Sequence, residues 1–220
     1  MPVIDLAFEL RGESILLDHG YALFSALSRI VPGLHGDRRI GVHPIRGLRT
    51  SPRRWTLVPQ SKLRLRLPAE EIGNFLGLVG ARLDIEGDVV GIGIPRIEPL
   101  QPRPSLASRI VAIGHYLEPD EALASVGRQL VAMGVSAEPR LIAETNPDFA
   151  GRPIRRVFRV KGRRLVGFAI RVDGLNAEES LTLQEHGLGG RRRMGCGIFT
   201  GVVDRGPRAL VNRTGEIDRE

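Results

Sequence analysis

The chain has 220 residues, 42% of them hydrophobic and 26% charged, a length that fits one large domain or two of roughly 100 residues, each able to bury a core. No apolar run approaches the ~18 residues of a membrane-spanning helix, and a single cysteine, Cys196, excludes an internal disulfide framework and a cysteine-rich zinc site. The net charge of +7 and a pI near 10.8 favour a polyanionic partner, either nucleic acid or an acidic membrane surface.

Residues 3–10 predict a strand, with Val3, Ile4, Leu6, Phe8 and Leu10 apolar. The acids Asp5 and Glu9 in this alternating stretch are unlike a signal or transit peptide, so a reducing cytoplasm is the expected compartment. A helix is expected over 19–30, with Leu23, Leu27, Ile30 and Leu34 at helical spacing, Asp18 as N-cap, and Pro32 and Gly33 as the stop. Strands follow near 39–45, 54–58 and 62–67. Pro68 then opens a second helix carrying Ile72, Phe75, Leu76 and Val79. Strands near 82–86 and 89–94 close this half. Residues 94–105 hold Pro95, Pro99, Pro102 and Pro104 and read as an interdomain linker.

The second half repeats the order. A strand is expected over 108–115, a helix over 119–133, and strands near 138–142, 155–160 and 165–172. Asn176 and Glu179 have capping-box spacing at the start of a last helix, and Gly187 is placed to end it. A final strand is expected over 196–203, and residues 204–220 form a charged tail without apolar periodicity. The fold class is therefore α+β, with two tandem ferredoxin-like βαββαβ domains at 1–94 and 106–203.

Charge is not spread evenly. Residues 38–66 hold nine Lys or Arg and no acid, residues 152–171 hold eight and no acid, and Arg191 to Arg193 add three. A solvated neutral surface intersperses signs, so this clustering favours nucleic acid. The stretch Lys62-Leu63-Arg64-Leu65-Arg66-Leu67 alternates as a strand with one basic face, a rigid platform able to track phosphates. Basic amphipathic helices suited to a membrane surface are not evident.

The most distinctive segment is GLGGRRRMGCGIF, residues 187–199, with glycines at 187, 189, 190, 195 and 197. A dinucleotide or P-loop fingerprint needs strand, loop, then helix. Here the loop follows a helix and precedes a strand, so neither nucleotide-cofactor reading applies. Glycines lacking Cβ let backbone N–H groups approach phosphate oxygens, and Arg191, Arg192 and Arg193 can add charge-assisted bonds. The alternative is a helix-to-strand turn whose arginines offset the helix dipole.

In this context GLGGRRRMGCG resembles the C-terminal glycine-rich signature of the RAMP superfamily. With DHGYALFSALSRIVPGLH (residues 18–35), GFAIRV and AEESLTLQEHGLGG, the chain is similar to the CRISPR-associated repeat-RNA endoribonucleases, the Cas-six family, in their Myxococcus-type subtype. The resemblance spans roughly residues 1–203. It implies metal-independent cleavage of CRISPR repeat RNA by 2′-OH attack, leaving 2′,3′-cyclic phosphate and 5′-OH ends, with no cofactor or metal. It implies repeat or guide RNA, and other subunits of an interference complex, as partners. A non-catalytic RAMP subunit that binds guide RNA is the alternative.

Such chemistry needs a base for the 2′-OH, an acid for the leaving oxygen and cations for the phosphorane. His35 matches the family's catalytic histidine after the first helix. His43 is read either as its partner acid or base or as a core-facing strand histidine. His19, His115 and His186 are read as structural. Where some family members carry a catalytic tyrosine this chain has Ser28. Where some carry a lysine after the histidine it has Arg38 and Arg39, which can stabilise a phosphorane but shuttle protons poorly. RNA contacts are assigned to Gly187, Gly189, Gly190, Gly195, Gly197, Arg191, Arg192 and Arg193, and to a basic hairpin carrying Arg155, Arg156, Arg159, Lys161, Arg163 and Arg164. Trp55 is a base-stacking candidate or a core-edge residue.

Overall fold

The structure, a computed structural model, describes residues 1–114, 118–160 and 162–202. His115, Lys161, residue 203 and the charged segment 204–220 lie outside the described residues. Antiparallel sheets dominate a mixed α/β architecture.

In the first half, β1 (Val3–Arg11) alternates apolar side chains and takes the centre of a five-stranded sheet. The sheet order is β3 (Gly41–Val42), β5 (Lys62–Pro68), β1, β7 (Asp88–Pro99), β6 (Arg82–Ile85), every pair antiparallel. Helix α1 (Gly20–Ile30) buries Leu23, Phe24 and Leu27 against Leu6, Phe8, Leu63 and Leu65. The expected second helix is one short α turn, α2 (Ile72–Phe75), between two 3₁₀ turns, because Gly73 and Gly77 weaken helix propensity. A two-stranded ribbon, β2 (Ser14–Leu16) with β4 (Arg54–Thr56), stands beside the sheet.

In the second half, β8 (Ser105–Val111) lies between β11 (Arg163–Asp173) and β12 (Thr200–Gly201). β9 (Glu138–Leu141) and β10 (Arg155–Val160) follow one another along the other edge of β11. Helices α3 (Pro119–Ala132) and α4 (Ala177–His186) pack Val126, Leu130 and Leu183 onto Phe168, Ile170, Val172 and Phe199. The capping box forms as expected: Asn176 accepts from the Glu179 N–H and Glu179 from the Asn176 N–H.

Other expectations change as well. β7 continues to Pro99 instead of ending at 94, so half of the expected linker is strand. Pro95 and Pro99 are tolerated because β6 covers only residues 88–91 of β7, leaving the rest an edge strand where a missing N–H costs no ladder bond. The last strand is only Thr200–Gly201, because Gly195 and Gly197 take positive φ and Gly197 N–H turns to Ile110 O. The N-cap of α1 is His19, not Asp18. The basic face of β5 is only partly open, because the second half covers its Arg66 end. Arg66 is 1% exposed, pairs Asp5 through Nε at 2.8 Å and Nη2 at 2.9 Å, and donates through Nη1 to the Gln184 and Phe199 carbonyls at 2.9 and 2.7 Å. Arg64 pairs Glu98 at 2.8 Å.

His19 joins the start of α1 to the following loop. Nδ1 donates to Leu16 O at 2.6 Å and Nε2 accepts the Ile45 N–H at 3.0 Å, which requires the neutral ring. Burial lowers its pKa to about 4. Unfolded, the ring titrates near its ordinary value of about 6.5. Between these values the unfolded chain binds the extra proton, so stability is full above about 6.5 and falls as pH drops toward 4. The thermal midpoint is expected to fall across that window, and His19→Gln to flatten the decline in a melting series.

Candidate nucleic-acid interface and active site

The two halves meet around a cleft. One hollow of about 280 Å³ is walled by Asp18, His19, Gly20 and Pro44 of the first half and by Arg109, Arg155, Arg156, Phe158 and Met194 of the second. A second, of about 240 Å³, shares Pro44, Arg109 and Gly195 and adds His43, Arg46, Lys62 and Arg64. Asp18 is the carboxylate in the first wall. Burial raises its pKa, offset by the Arg159 backbone N–H and the Arg109 charge.

The cations here crowd one another. Burial and the charges of Arg156 and Arg46 push the Arg109 guanidinium down to about 10. Lost hydration and the charges of Arg64 and Arg156 lower Arg46. Burial also lowers Arg156, whose Nε is buried without a hydrogen-bond partner among the described residues. Arg109 was missed in the sequence, although a lone cation in the apolar run LASRIVAI of β8 marked it.

The basic hairpin β10–β11 forms, with Arg159 opposite Arg164 and Val160 opposite Arg163. Arg155 and Arg159 point outward, and Arg163 and Arg164 are exposed. Arg156 shares the inner face with Phe158 and Val160, which pack with Ile110 and Cys196 against Tyr21 and Met194. Lys161 lies outside the described residues. Trp55 is half-buried and packs against the first core.

The glycine-arginine loop is a packed turn. Gly187, Gly189, Gly195 and Gly197 all have positive φ, and a Cβ on Gly197 would collide with Leu188 O. Their amides are engaged inside the protein. Gly187 N–H donates to Leu183 O, Gly189 to Gln129 Oε1, Gly190 to Ala112 O, Gly195 to Arg192 O and Gly197 to Ile110 O. The glycines therefore shape the loop, and the expected amide cradle for phosphate is not formed by them. Arg191 takes a left-handed conformation, φ 66°, and is exposed. Arg192 points inward, where burial and the Arg66 charge lower it to about 10. Its Nη1 reaches Arg39 O at 3.5 Å, while Nε and Nη2 have no partner among the described residues.

The loop reaches the candidate catalytic segment. His35 ends a 3₁₀ turn, Pro32–His35, is exposed, and stacks on Phe24 of α1 at 5.5 Å. Arg193 Nη1 donates to the carbonyls of Leu34, at 2.9 Å, and His35. Ser28 Oγ donates to Phe24 O at 2.8 Å within the helix. Arg38 is exposed, whereas Arg39 pairs Asp37, Glu70 and Glu71. His43 is 6% exposed. Its Nε2 donates to Asp5 at 3.2 Å, and burial, only partly offset by Asp5, lowers it to about 4. Asp5 is held below the usual carboxylate range, because hydrogen bonds from His43 and Arg66 outweigh burial.

The family model described as Cas6 Crispr matches residues 4–204. A protein from Myxococcus xanthus (strain DK1622), named CRISPR-associated endonuclease Cas6, is 41% identical over 199 residues, covering 90% of this chain and 81% of its own. The chain belongs to the Cas6 family. Solved structures give the same fold relationship. A CRISPR-associated protein Cas6 aligns with TM-score 0.63 and 13% identity, over 91% of this chain and 100% of the other. A RAMP protein described as binding different RNA substrates gives 0.62 and 12%, with the same coverages. A Cas6-related protein from Pyrococcus furiosus gives 0.60 and 14%, over 92% and 100%. Among the described residues of this family member, no helix is long and apolar enough to cross a membrane.

Proposed function

We propose that the protein is a metal-independent endoribonuclease that cuts CRISPR repeat RNA into guide RNA and retains the product. The observation that carries this reading is the arginine-rich cleft of a Cas6-family chain. Burial, together with neighbouring arginine charges, disfavours the charged forms of Arg46, Arg109 and Arg156 there, a cost that a bound phosphate backbone would relieve. The endonuclease name of the 41% identical relative supports the activity.

The reading has two units of ferredoxin-like topology, since each half has a sheet whose central strands run in the order of a split βαβ. We place the first unit's end after Pro99 and the second unit over 105–203. The RNA stem lies along the hairpin, against Arg155, Arg159, Arg163 and Arg164, and the single strand crosses the cleft past Arg109 and Arg156 toward Arg191 and His35. His35 takes the 2′-OH proton. The 2′-oxygen then attacks the adjacent phosphorus, the P–O5′ bond breaks, and the 5′-oxygen takes a proton from water. Arg38 offsets charge on the phosphorane. Arg39, already paired with three carboxylates, does not, and Ser28 is held within its helix.

His43 is the second candidate, because it faces the same hollow as Lys62, Arg64 and Arg109. A cytoplasmic location and assembly with interference subunits belong to the same reading. The test is a repeat transcript incubated with protein in EDTA. One cut with cyclic-phosphate and 5′-OH ends is expected. Binding without cleavage at any protein concentration would replace the enzyme with a guide-binding subunit.

A further inference from the structure

The third arginine of the loop faces the protein, not the solvent-lined cleft. Arg193 Nη1 donates to two carbonyls at the end of the 3₁₀ turn, Leu34 O at 2.9 Å and His35 O. Carbonyls at a helical C-terminus lack internal partners and carry the negative end of the dipole, so a guanidinium suits them. The same guanidinium lies over the Phe24 ring, 5.6 Å from its centroid, and that ring stacks on His35 at 5.5 Å. Arg193 thus touches both the backbone of His35 and the surface on which its imidazole rests.

The base of this arm is fixed on the first half. Met194 O packs so closely on Gly20 that a Cβ there would collide with it, and Gly195 lies against Pro44, which a Cβ would meet at 3.3 Å. Arg191 and Gly195, both left-handed, set the turn that aims residue 193. The loop therefore cannot slide along α1 without losing these contacts.

We infer that Arg193 is a positioning residue for His35: from the opposite half of the chain it fixes the catalytic segment, and it does not hold RNA. This rests on the reading of His35 as the base. A displacement of about 1 Å at a reacting group can cost about 10²-fold in rate, which is the scale of effect expected.

The test compares Arg193→Ala, Arg193→Lys and His35→Ala in single-turnover cleavage of a repeat transcript, with affinities measured at several salt concentrations. Arg193→Ala is expected to slow cleavage of bound RNA about 10- to 100-fold, with affinity and salt slope unchanged. Arg193→Lys keeps a cation and a donor and is expected to recover part of the rate, which also guards against a folding defect in the alanine variant. In NMR spectra the His35 imidazole C–H signal should leave the position set by the Phe24 ring while the His19 signal stays. Weaker affinity with a reduced salt slope and an unchanged rate for bound RNA would make Arg193 a phosphate contact and overturn the proposal. If His35→Ala is inactive but Arg193→Ala leaves the His35 signal and the rate unchanged, the proposal alone falls. If His35→Ala cleaves normally, the reading beneath it falls as well.

Discussion

His35→Ala is expected to slow cleavage of bound repeat RNA by about 10²- to 10⁴-fold, the usual contribution of a positioned general base, while affinity stays within about twofold. The separation follows from where the residue sits. His35 is exposed at the end of a short turn, bonded through its carbonyl and stacked on one ring, and it belongs to neither core. Removing its imidazole leaves the arginines of the cleft and hairpin untouched, so RNA still binds. His43 behaves differently. Its ring is buried, neutral and tied to Asp5, so His43→Ala is expected to lower the melting temperature as well as any rate. Normal cleavage by His35→Ala with a dead but folded His43→Ala would transfer the base to His43.

The second large effect is on stability. Arg66 is buried between the halves and joins Asp5 of β1 to the carbonyls at Gln184 and Phe199. Arg66→Met would leave the buried Asp5 carboxylate with only the His43 bond and two carbonyls without their donor. Breaking such a buried pair costs about 3–5 kcal/mol, a large part of the about 5–15 kcal/mol that holds a typical protein folded. For a chain of this size each kcal/mol moves the midpoint by about 2–4 °C, so a fall of about 6–20 °C is expected in calorimetry. Asp5→Asn with Arg66→Met should recover part of it, because the uncompensated charge is gone. A change of less than about 1 kcal/mol in Arg66→Met would mean that the halves are held together elsewhere.

Sequence pattern carried the long strands, the long helices and the Asn176 capping box, because each is set by residues a few positions apart, but not the short strands β2, β3 and β12. It failed where partners are distant. Alternation placed Lys62, Arg64 and Arg66 on one face of β5, but only the packed halves show that Arg66 on this face is covered. Prolines suggested a linker because a proline removes a ladder donor, yet on the open edge of β7 no donor is needed. Glycines suggested free amides, whereas close approach to Leu188, Ala112 and Pro44 is what the loop requires of them. The meeting of Arg193 with His35 joins the two most informative motifs across the chain, and no local pattern encodes such a contact.

The central claim is that the RNA's own 2′-oxygen is the nucleophile, activated at His35. It is tested most directly by a repeat RNA with a single 2′-deoxy nucleotide on the 5′ side of the mapped cut. Such an RNA should bind with unchanged affinity and remain intact at that phosphate. Cleavage of the deoxy RNA at the same phosphate, at a rate near that of the unmodified RNA, would contradict the mechanism.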